Sequence, residues 1–282
     1  MMESKMHSAT VSEPVVIEGR GLFSGLNCRA VIVPRYEGSG LTYYREGQPI
    51  EAVVQNFHEQ PNCTVLSNGR LSLAVTEHIQ AALWAAGIDS AEIHVDGPEL
   101  PNHDGGAASL YDAIAAVPDE SLGIQRPLLT IGAVLEVSDG ESYIRLAPCD
   151  ELRISYSFAH PELGEQLYVS ELDRGMAVNE LLPARTFITE REAQLARSAG
   201  FLHNEHEEDA LVLRNGQPNK PLFFSNEFAR HKVLDLLGDL YILPFDWQAD
   251  ITAHLSGHKL NRELARQLMG MYETARSGGQ SS

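Results

Sequence analysis

The sequence contains little cysteine. Cys28, Cys63 and Cys149 are its three cysteines, they lie far apart in the 282 residues, and no C-x-x-C pair occurs. An odd, scattered set excludes a disulfide framework, and the missing pairs exclude a thiolate metal cage. We therefore expect a location in the reducing cytoplasm.

Positive charge is also scarce. Lys and Arg number 21 against 39 Asp and Glu, which gives a net charge of −18. So acidic a chain is a poor candidate for nonspecific nucleic-acid binding, and it disfavours docking on anionic lipid. We expect no nucleic-acid partner.

Long apolar runs are missing as well. No stretch reaches the roughly 20 residues that cross a bilayer, and M-M-E-S-K-M-H-S-A-T at the start lacks the apolar core of a signal peptide. Yet 43% of the residues are hydrophobic, enough for a sizeable core or two joined cores. We expect a soluble protein without stable membrane insertion.

Short strands and helices follow one another along the chain, and they predict an α+β fold in two domains. The first domain covers residues 13–120, and the second covers residues 127–276. Residues 121–126 are predicted to be a linker, because the composition from Pro118 to Arg126 shifts to Pro, Asp, Glu and Ser and no apolar period crosses this stretch. The ends, residues 1–12 and 277–282, are predicted to be disordered.

The segment E-F-A-R-H-K-V-L-D-L-L-G-D, residues 227–239, has apolar residues at helical spacing. His231 and Asp235 are four residues apart, so they point the same way on this helix. An imidazole and a carboxylate on one face form half of a zinc or iron site. For this pair alone, an ion pair on a solvated face is the favoured interpretation. Lys232 and Asp239, on or beside the same face, give it more chemistry than a solvated helix needs.

The two halves of the chain repeat one arrangement. A helix with His78 near its start is followed by a strand and then by Asp104. A helix with His231 is followed by a strand and then by His258, at nearly the same spacing. The repeat is weak evidence of an internal duplication. Two α+β layers packed through their helices would bring His78 and His231 to one seam.

The tripeptide T-E-H at 76–78 supplies further candidates. His78 would complete a set of two histidines and one aspartate with an open fourth position, the pattern of a catalytic zinc. Glu77 could lean towards the same cleft as a general base. Each also has a simpler interpretation: Glu77 as an acid favoured by the helix dipole, and His78 as a buried, hydrogen-bonded imidazole.

Two other residues also have both a catalytic and a simpler interpretation. His258, in S-G-H-K-L-N, could act as a general acid held by Asp239 through its other ring nitrogen, or be only a histidine at a helix entry. Thr186, in A-R-T-F, could donate its hydroxyl to an oxyanion, or be only a turn hydroxyl. The residues alone do not decide between these roles.

Five motifs occur in order: T-E-H-I-Q-A-A-L, P-N-H-D-G-G-A, A-R-T-F, R-H-K-V-L-D-L-L-G-D-L and S-G-H-K-L-N. With this set the chain resembles the UDP-3-O-acyl-N-acetylglucosamine deacetylases, zinc amidases that commit a sugar nucleotide to lipid A. The resemblance runs from residue 14 to about residue 275. It implies two similar β-α-α-β domains packed through their helices, an active site between them, and an insert near residues 187–224.

Matched motif by motif, the resemblance implies roles for individual residues. His78, His231 and Asp235 match the zinc ligands, and Glu77 matches the general base. His258 is implied to stabilise or protonate the transition state, with Asp239 as its partner. Lys232 is implied to take part in catalysis and substrate contact, Thr186 to bind the oxyanion, and Phe187 to lie beside the substrate. Arg145 of Y-I-R-L-A-P is implied to contact the diphosphate, and Asp104 to lie behind the ligands.

The chain departs from the family pattern at three places. Phe23 stands where a histidine is common, and His103 and Gly105 differ within P-N-H-D-G-G. The segment F-L-H-N-E-H-E-E-D at 201–209 replaces a glycine-rich part of the insert, which in the family helps to form the passage for the acyl chain. The length and type of the acyl group are therefore left open.

The resemblance implies hydrolysis of the acetamide of UDP-3-O-acyl-N-acetylglucosamine, with release of acetate. Zn²⁺ is the expected metal and Fe²⁺ the alternative, and the acylated sugar nucleotide is the expected partner of a monomer. Two alternatives are a non-haem Fe(II) oxygenase with the same two-His-one-carboxylate triad and a non-catalytic sugar-nucleotide or acyl-chain binding homologue. The first is disfavoured because its ligand pair usually lies on barrel strands, and the second because the Glu-His and His-x-x-x-Asp sets are intact.

Overall fold

The computed structural model describes residues 7–60, 62–198 and 210–278. The first half of the chain contains a short 3-10 turn, Val54–Asn56, besides its strands and helices. Its strands and helices are, in order, β1 (His7–Val11), β2 (Val15–Arg20), β3 (Asn27–Pro34), β4 (Gly40–Arg45), β5 (Gln48–Glu51), β6 (Phe57–Gln60), β7 (Cys63–Ser67), β8 (Ser72–Ala74), α1 (Glu77–Ala86), β9 (Ser90–Val95) and α2 (Ala108–Ala115).

The second half carries a longer series of elements. They are β10 (Asp119–Gln125), β11 (Leu128–Thr130), β12 (Leu135–Asp139), β13 (Ser142–Ala147), β14 (Arg153–His160), β15 (Gly164–Glu171), α3 (Arg174–Glu180), β16 (Phe187–Thr189), α4 (Glu190–Ser198), β17 (Leu211–Arg214), β18 (Gln217–Pro218), α5 (Glu227–Leu240), β19 (Asp246–Gln248), β20 (Asp250–His254) and α6 (His258–Gly278).

Each half contains a five-stranded sheet, and the two sheets share one topology. Their orders are β2-β3-β9-β4-β5 and β12-β13-β20-β14-β15. In both sheets the central strand, β9 or β20, pairs antiparallel with one neighbour and parallel with the other. This arrangement confirms the predicted α+β fold and the similarity of the two halves.

Alternation along the strands decides which face of each sheet is buried. On β13, Ile144 and Leu146 are buried while Arg145 between them is exposed, because successive side chains point to opposite faces. The buried faces meet a central layer of helices: α6 contacts β12 and β13, α5 contacts β14 and β15, and α1 packs on α5. Buried residues of both halves form one continuous apolar cluster. The seam between the halves is therefore lined by helices.

The start of the described chain is ordered, so the predicted disorder of residues 1–12 is wrong for residues 7–11. These residues form β1, which pairs antiparallel with β10. Ser8 Oγ and the Ala9 amide donate to the Asp89 carboxylate at 2.9 and 2.8 Å. H-S-A-T-V has too little apolar periodicity to predict a strand, and distant partners order it. Residues 1–6 lie outside the described part of the chain.

The linker predicted at 121–126 is an ordered segment. Asp119–Gln125 is strand β10, and the Arg126 side chain is buried. Arg126 donates to Asp89 and Asp246 at 2.8 Å each and to the Leu243 carbonyl at 2.7 Å. The last residue of the predicted linker thus pairs with distant groups. The domain boundaries at 13–120 and 127–276 remain a prediction.

Two other expected segments are partly described. Ser277 and Gly278 belong to α6, so the predicted disorder of 277–282 is wrong for them, and the remaining residues lie outside the described chain. Strands β16, β17 and β18 form a three-stranded sheet within the expected insert, and α4 follows β16 directly. The segment 201–209 is outside the described residues. In the described ranges, no helix combines the length and apolar character needed to cross a membrane.

Candidate metal centre and active site

Helix α5 carries His231 and Asp235 one turn apart on a buried face. Their exposed fractions are 2% and 1%, and His231 Nε2 lies 3.4 Å from Asp235 Oδ1. The simpler interpretation, an ion pair on a solvated face, is therefore wrong. A buried carboxylate is costly unless it is compensated, so this pair must be part of a larger group.

His78 reaches the same point from the start of α1. Its Nε2 lies 3.7 Å from Asp235 Oδ1, and its ring lies edge-on to the His231 ring at a centroid distance of 5.2 Å. The two helices come this close because Gly238 of α5 has no side chain. A Cβ at that position would collide with the Glu77 carbonyl oxygen. The glycine of D-L-L-G-D thus allows α1 to deliver His78 to α5.

The three side chains fit a metal ion. Each offers a ligand atom within 4.8 Å of the others, and the buried Asp235 Oδ1 has no hydrogen-bond partner among the described residues. The Ala184 carbonyl lies 3.0 Å from His231 Nδ1, which can donate to it and so leave the Nε2 lone pair facing Asp235. A divalent cation would satisfy the orphaned oxygen and accept both imidazoles.

The charges of the group suit a cation. Burial lowers the pKa of His231 to about 3, so the ring is neutral at neutral pH. Burial opposes ionisation of Asp235, but the neighbouring His231 and Lys232 outweigh it and hold the pKa of the carboxyl well below its usual range. A neutral imidazole and an ionised carboxylate are the forms that bind metals.

Glu77 and His258 lie beside this group. His258 Nε2 is 4.0 Å from Glu77 Oε1 and 3.9 Å from Asp235 Oδ2. On the other side of the ring, His258 Nδ1 lies 2.7 Å from Asp239 Oδ2. A carboxylate only accepts, so Nδ1 carries the proton and donates, and Nε2 is left to face Glu77.

Glu77 and His258 are set up for proton transfer. Burial raises the pKa of Glu77 to about 7. Burial by itself would lower the pKa of His258. The charge and hydrogen bond of Asp239 outweigh burial and raise this pKa to about 9. At neutral pH a carboxyl near its pKa therefore stands next to an imidazolium.

A second group also has metal-ligand spacing. Glu77, Asp235 and His258 offer atoms within 4.8 Å of one another. The protonated ring of His258 has no lone pair for a metal. The group formed by His78, His231 and Asp235 is therefore the better metal site.

Lys232 and Phe187 border the group. Lys232 Nζ donates to Asp235 Oδ2 at 2.8 Å and lies 5.6 Å from the centre of the Phe187 ring. The Phe187 and His231 rings are 6.2 Å apart between centroids. Thr186 is held through its backbone, since its amide donates to the Gly105 carbonyl at 2.8 Å. The roles of these side chains towards a substrate remain predictions.

Asp104 is exposed in the loop before α2, and its Oδ1 accepts from the Gly106 amide at 3.2 Å. Thr186 is bonded to Gly105 of the same loop. A role of Asp104 behind the metal ligands remains a prediction.

Arg145 lies on an exposed face of the second sheet. It is exposed on β13, between the buried Ile144 and Leu146. The buried face of this sheet meets α6, so Arg145 points to the opposite face, away from the helices that carry the metal group. A contact between Arg145 and a diphosphate remains a prediction.

Phe23 and His103, two of the departures from the family pattern, are not members of the metal group, and the segment 201–209 lies outside the described residues. Phe23 packs with the small apolar cluster of Cys63, Val65 and Val75, and its amide donates to Glu99 at 2.9 Å. The His103 ring lies 2.8 Å from the Ser109 hydroxyl.

Two residues of the site were missed from the sequence. Thr64 donates its hydroxyl to Asp239 Oδ1, and Asn261 Nδ2 donates to Asp239 Oδ2 at 2.8 Å. Thr64 lies in C-T-V-L-S, which resembles any strand, so nothing marks it. Asn261 follows His258 by three residues on α6, a spacing that places both on one helix face, and this was the available signal.

Comparison with known proteins gives a consistent set of similarities. A sequence model of the family described as UDP-3-O-acyl N-acetylglycosamine deacetylase matches residues 8–270. Proteins named UDP-3-O-acyl-N-acetylglucosamine deacetylase from Nautilia profundicola and Campylobacter hominis are 30% and 31% identical, over 94% of this chain and 92% of each relative. The protein of that name from a Nostoc species is 32% identical, over 94% of this chain and 99% of the relative.

Proposed function

The chain belongs to the UDP-3-O-acyl N-acetylglycosamine deacetylase family, and from that membership we propose that it hydrolyses the acetamide of UDP-3-O-acyl-N-acetylglucosamine. The products are acetate and the free amine, and the reaction is the committed step of lipid A biosynthesis. The observation that carries the proposal is the buried convergence of His78, His231 and Asp235 next to Glu77 and His258.

The metal of the proposal is zinc, with ferrous iron as the alternative. His78, His231 and Asp235 would hold it through two imidazole nitrogens and one carboxylate oxygen. Bound there, a divalent ion would supply Lewis acidity towards the amide carbonyl and towards a water molecule. The hydrogen bond between His231 and Ala184 and the one between Lys232 and Asp235 fix the orientation of two of these ligands.

Glu77 is the proposed general base. Its Oε2 accepts from the Thr64 amide at 3.3 Å, which leaves Oε1 to face the space beside Asp235 and His258. In its ionised form Glu77 removes a proton from the attacking water as the oxygen–carbon bond forms. A pKa of about 7 matches this task at neutral pH.

His258 is the proposed general acid. When the carbon–nitrogen bond breaks, the amine needs a proton, and the Nε2–H of the imidazolium faces the same space as Glu77. Asp239, on the far side of the ring, stabilises the positive charge and holds the ring plane. Glu77, after it has taken the water proton, is the alternative donor.

The remaining expected residues have roles at the edge of the site. We propose that Lys232 contacts the substrate and stabilises developing negative charge, that the Thr186 hydroxyl donates to the oxyanion, and that Phe187 lies against the substrate. The Phe187 ring lies 5.6 Å from Lys232 Nζ and 6.2 Å from the His231 ring, which supports a position beside the substrate.

The test is a deacetylation assay combined with a metal assay. The zinc-loaded chain is incubated with UDP-3-O-acyl-N-acetylglucosamines of several acyl lengths, and mass spectrometry follows the loss of the acetyl group and the release of acetate. We expect turnover that a chelator abolishes and that added zinc restores. UDP-N-acetylglucosamine without the acyl chain is the control substrate. Absence of acetate release from every acylated substrate by the metal-loaded chain would refute the proposed function.

A further inference from the structure

Thr64 ties together groups from both halves of the molecule. It lies fully buried on β7, its amide donates to Glu77 Oε2 at 3.3 Å, and its carbonyl accepts from the Val75 amide at 3.0 Å. Its hydroxyl donates to Asp239 Oδ1 on α5. One residue therefore contacts both the proposed base and the partner of the proposed acid.

Both oxygens of the Asp239 carboxylate accept hydrogen bonds. Oδ1 accepts from Thr64, and Oδ2 accepts from His258 Nδ1 at 2.7 Å and from Asn261 Nδ2 at 2.8 Å. Thr64 Oγ1 also lies 3.1 Å from His258 Nδ1. Because the hydroxyl proton is given to Asp239, a lone pair of Oγ1 can accept part of the Nδ1–H bond. The Thr64 hydroxyl thus contacts both members of the acid pair.

We propose that Thr64 is a positioning residue: it aligns the His258 ring through Asp239 and holds Glu77 through its amide. The inference rests on the proposed function, in which those groups transfer protons. A donor on the other oxygen of a carboxylate restricts its rotation, and so fixes the ring that bonds to it. Thr64 belongs to the half that supplies Glu77, while Asp239 and His258 belong to the other, so it sets the relative position of base and acid.

Thr64→Val separates the two contacts. Valine keeps the backbone amide, and therefore the bond to Glu77, and it keeps the β-branched shape that suits a strand. It removes only the hydroxyl. We expect kcat to fall by about 10–100-fold, with KM and metal content unchanged. Thr64→Ser, which restores a hydroxyl, should recover most of the activity.

A matched control is Thr10→Val. Thr10 is also a fully buried strand threonine, and its hydroxyl accepts from the Arg35 amide, away from the site. This variant should keep the activity of the unmodified chain, and so measures the general cost of losing a buried threonine hydroxyl. If Thr64→Val does not fold, Thr64→Ser and Thr64→Ala form a second pair that differs only in the hydroxyl.

A double variant tests whether Thr64 acts through His258. If it does, Thr64→Val combined with His258→Gln should be no slower than His258→Gln alone, since the ring that Thr64 aligns is already lost. Independent, multiplying effects would overturn the proposal. So would a Thr64→Val enzyme with an unchanged kcat.

A spectroscopic measurement keeps this test separate from the proposed function. The Nδ1–H proton of His258, shared with Asp239, should give a downfield proton resonance that His258→Gln removes. Thr64→Val should shift or broaden it, while Thr10→Val should leave it in place. If the unmodified chain released no acetate, the proposed function would fail, and this resonance would still decide whether Thr64 positions His258. An identical resonance in Thr64→Val would count against that role.

Discussion

At the scale of single residues, one small buried volume keeps three ionisable groups in three different states. His231 is neutral because burial lowers its pKa to about 3, whereas His258 is charged because Asp239 outweighs burial and raises its pKa to about 9. Glu77, with a pKa that burial raises to about 7, lies between these extremes. These differences support the proposed roles of His231 as a ligand, His258 as the acid and Glu77 as the base.

Replacing His231 by alanine should remove the metal while the fold is kept. A catalytic site with an open position contributes less to folding than a closed structural one. Elemental analysis should show loss of bound metal, with an unchanged circular dichroism spectrum. His94→Ala, an exposed histidine stacked on Tyr44, is the control and should bind metal normally. Full metal content in His231→Ala would show that the ligand set is wrong.

Replacing Glu77 by glutamine should keep the metal and slow turnover. The amide preserves size and the bond to the Thr64 amide but cannot accept the water proton, and loss of a general base typically costs about 10²–10⁴-fold. Metal content and kcat are measured on the same sample. If metal and activity fell in proportion, Glu77 would be a ligand, and the role of Asp235 would need revision.

The pH dependence of kcat/KM should be bell-shaped. Glu77 must be ionised, so the rate rises as the pH passes about 7. His258 must be protonated, so the rate falls as the pH passes about 9. The measured values belong to the coupled site. His258→Gln should lower kcat by about 10²–10⁴-fold and flatten only the basic limb. An unaltered basic limb in this variant would leave His258 as a structural residue and Glu77 as the donor.

At the scale of elements, the site depends on how closely α1 packs on α5. His78 and Glu77 open α1, whereas His231, Asp235 and Asp239 lie along α5. Neither helix holds a complete site. Their close approach at Gly238, where a side chain would meet the Glu77 carbonyl, makes the two partial sites into one.

Gly238→Ala should therefore lower both stability and activity. Overpacking typically costs about 1–3 kcal/mol, and the shift would move Glu77 and His78 together. Gly270→Ala on α6 is the matched control, because nothing lies within 4 Å of the added Cβ. It should stabilise the chain by roughly 0.4–1 kcal/mol. Thermal unfolding and kcat are measured on both, and equal effects would show that the helix contact is not tight.

At the scale of the whole molecule, Arg126 joins parts that the sequence alone would separate. It connects Asp89, which itself holds β1, to Asp246 and the Leu243 carbonyl after α5. Its guanidinium also lies over the Tyr241 ring, 5.3 Å from the ring centre. Arg126 therefore ties the segment between the halves to groups in both of them.

Arg126→Ala should destabilise the molecule strongly. Removing one partner of a buried ion pair leaves uncompensated charge, here on Asp89 and Asp246, and typically costs about 3–5 kcal/mol. The free energy of unfolding in urea is the measurement. The control is Arg153→Ala, which breaks an exposed ion pair with Glu151 and should change the free energy of unfolding little. Equal stabilities of the two variants would argue against the role of Arg126.

The sequence by itself determined the features that depend on local spacing. Helical periodicity predicted α5, the four-residue separation predicted that His231 and Asp235 share a face, and the repeated spacing from His78 and His231 predicted two similar halves. The ordered motifs added the family resemblance and the other site residues. Periodicity could not show burial. An ion pair between His231 and Asp235 on a solvated face therefore remained possible until the structure showed both side chains buried.

Only the tertiary structure decided the features that join distant parts of the chain. Thr64 and Asp239 are 175 residues apart, and the strand at His7–Val11 is held by β10 and Asp89. A partner so far away leaves no pattern in the local sequence, because a polar residue looks the same whether it meets water or a buried carboxylate. The exposed face of Arg145 was likewise decided by packing, because the sheet face that is buried depends on what packs on it. The physical difference is desolvation, which belongs to the folded molecule and not to any segment of it.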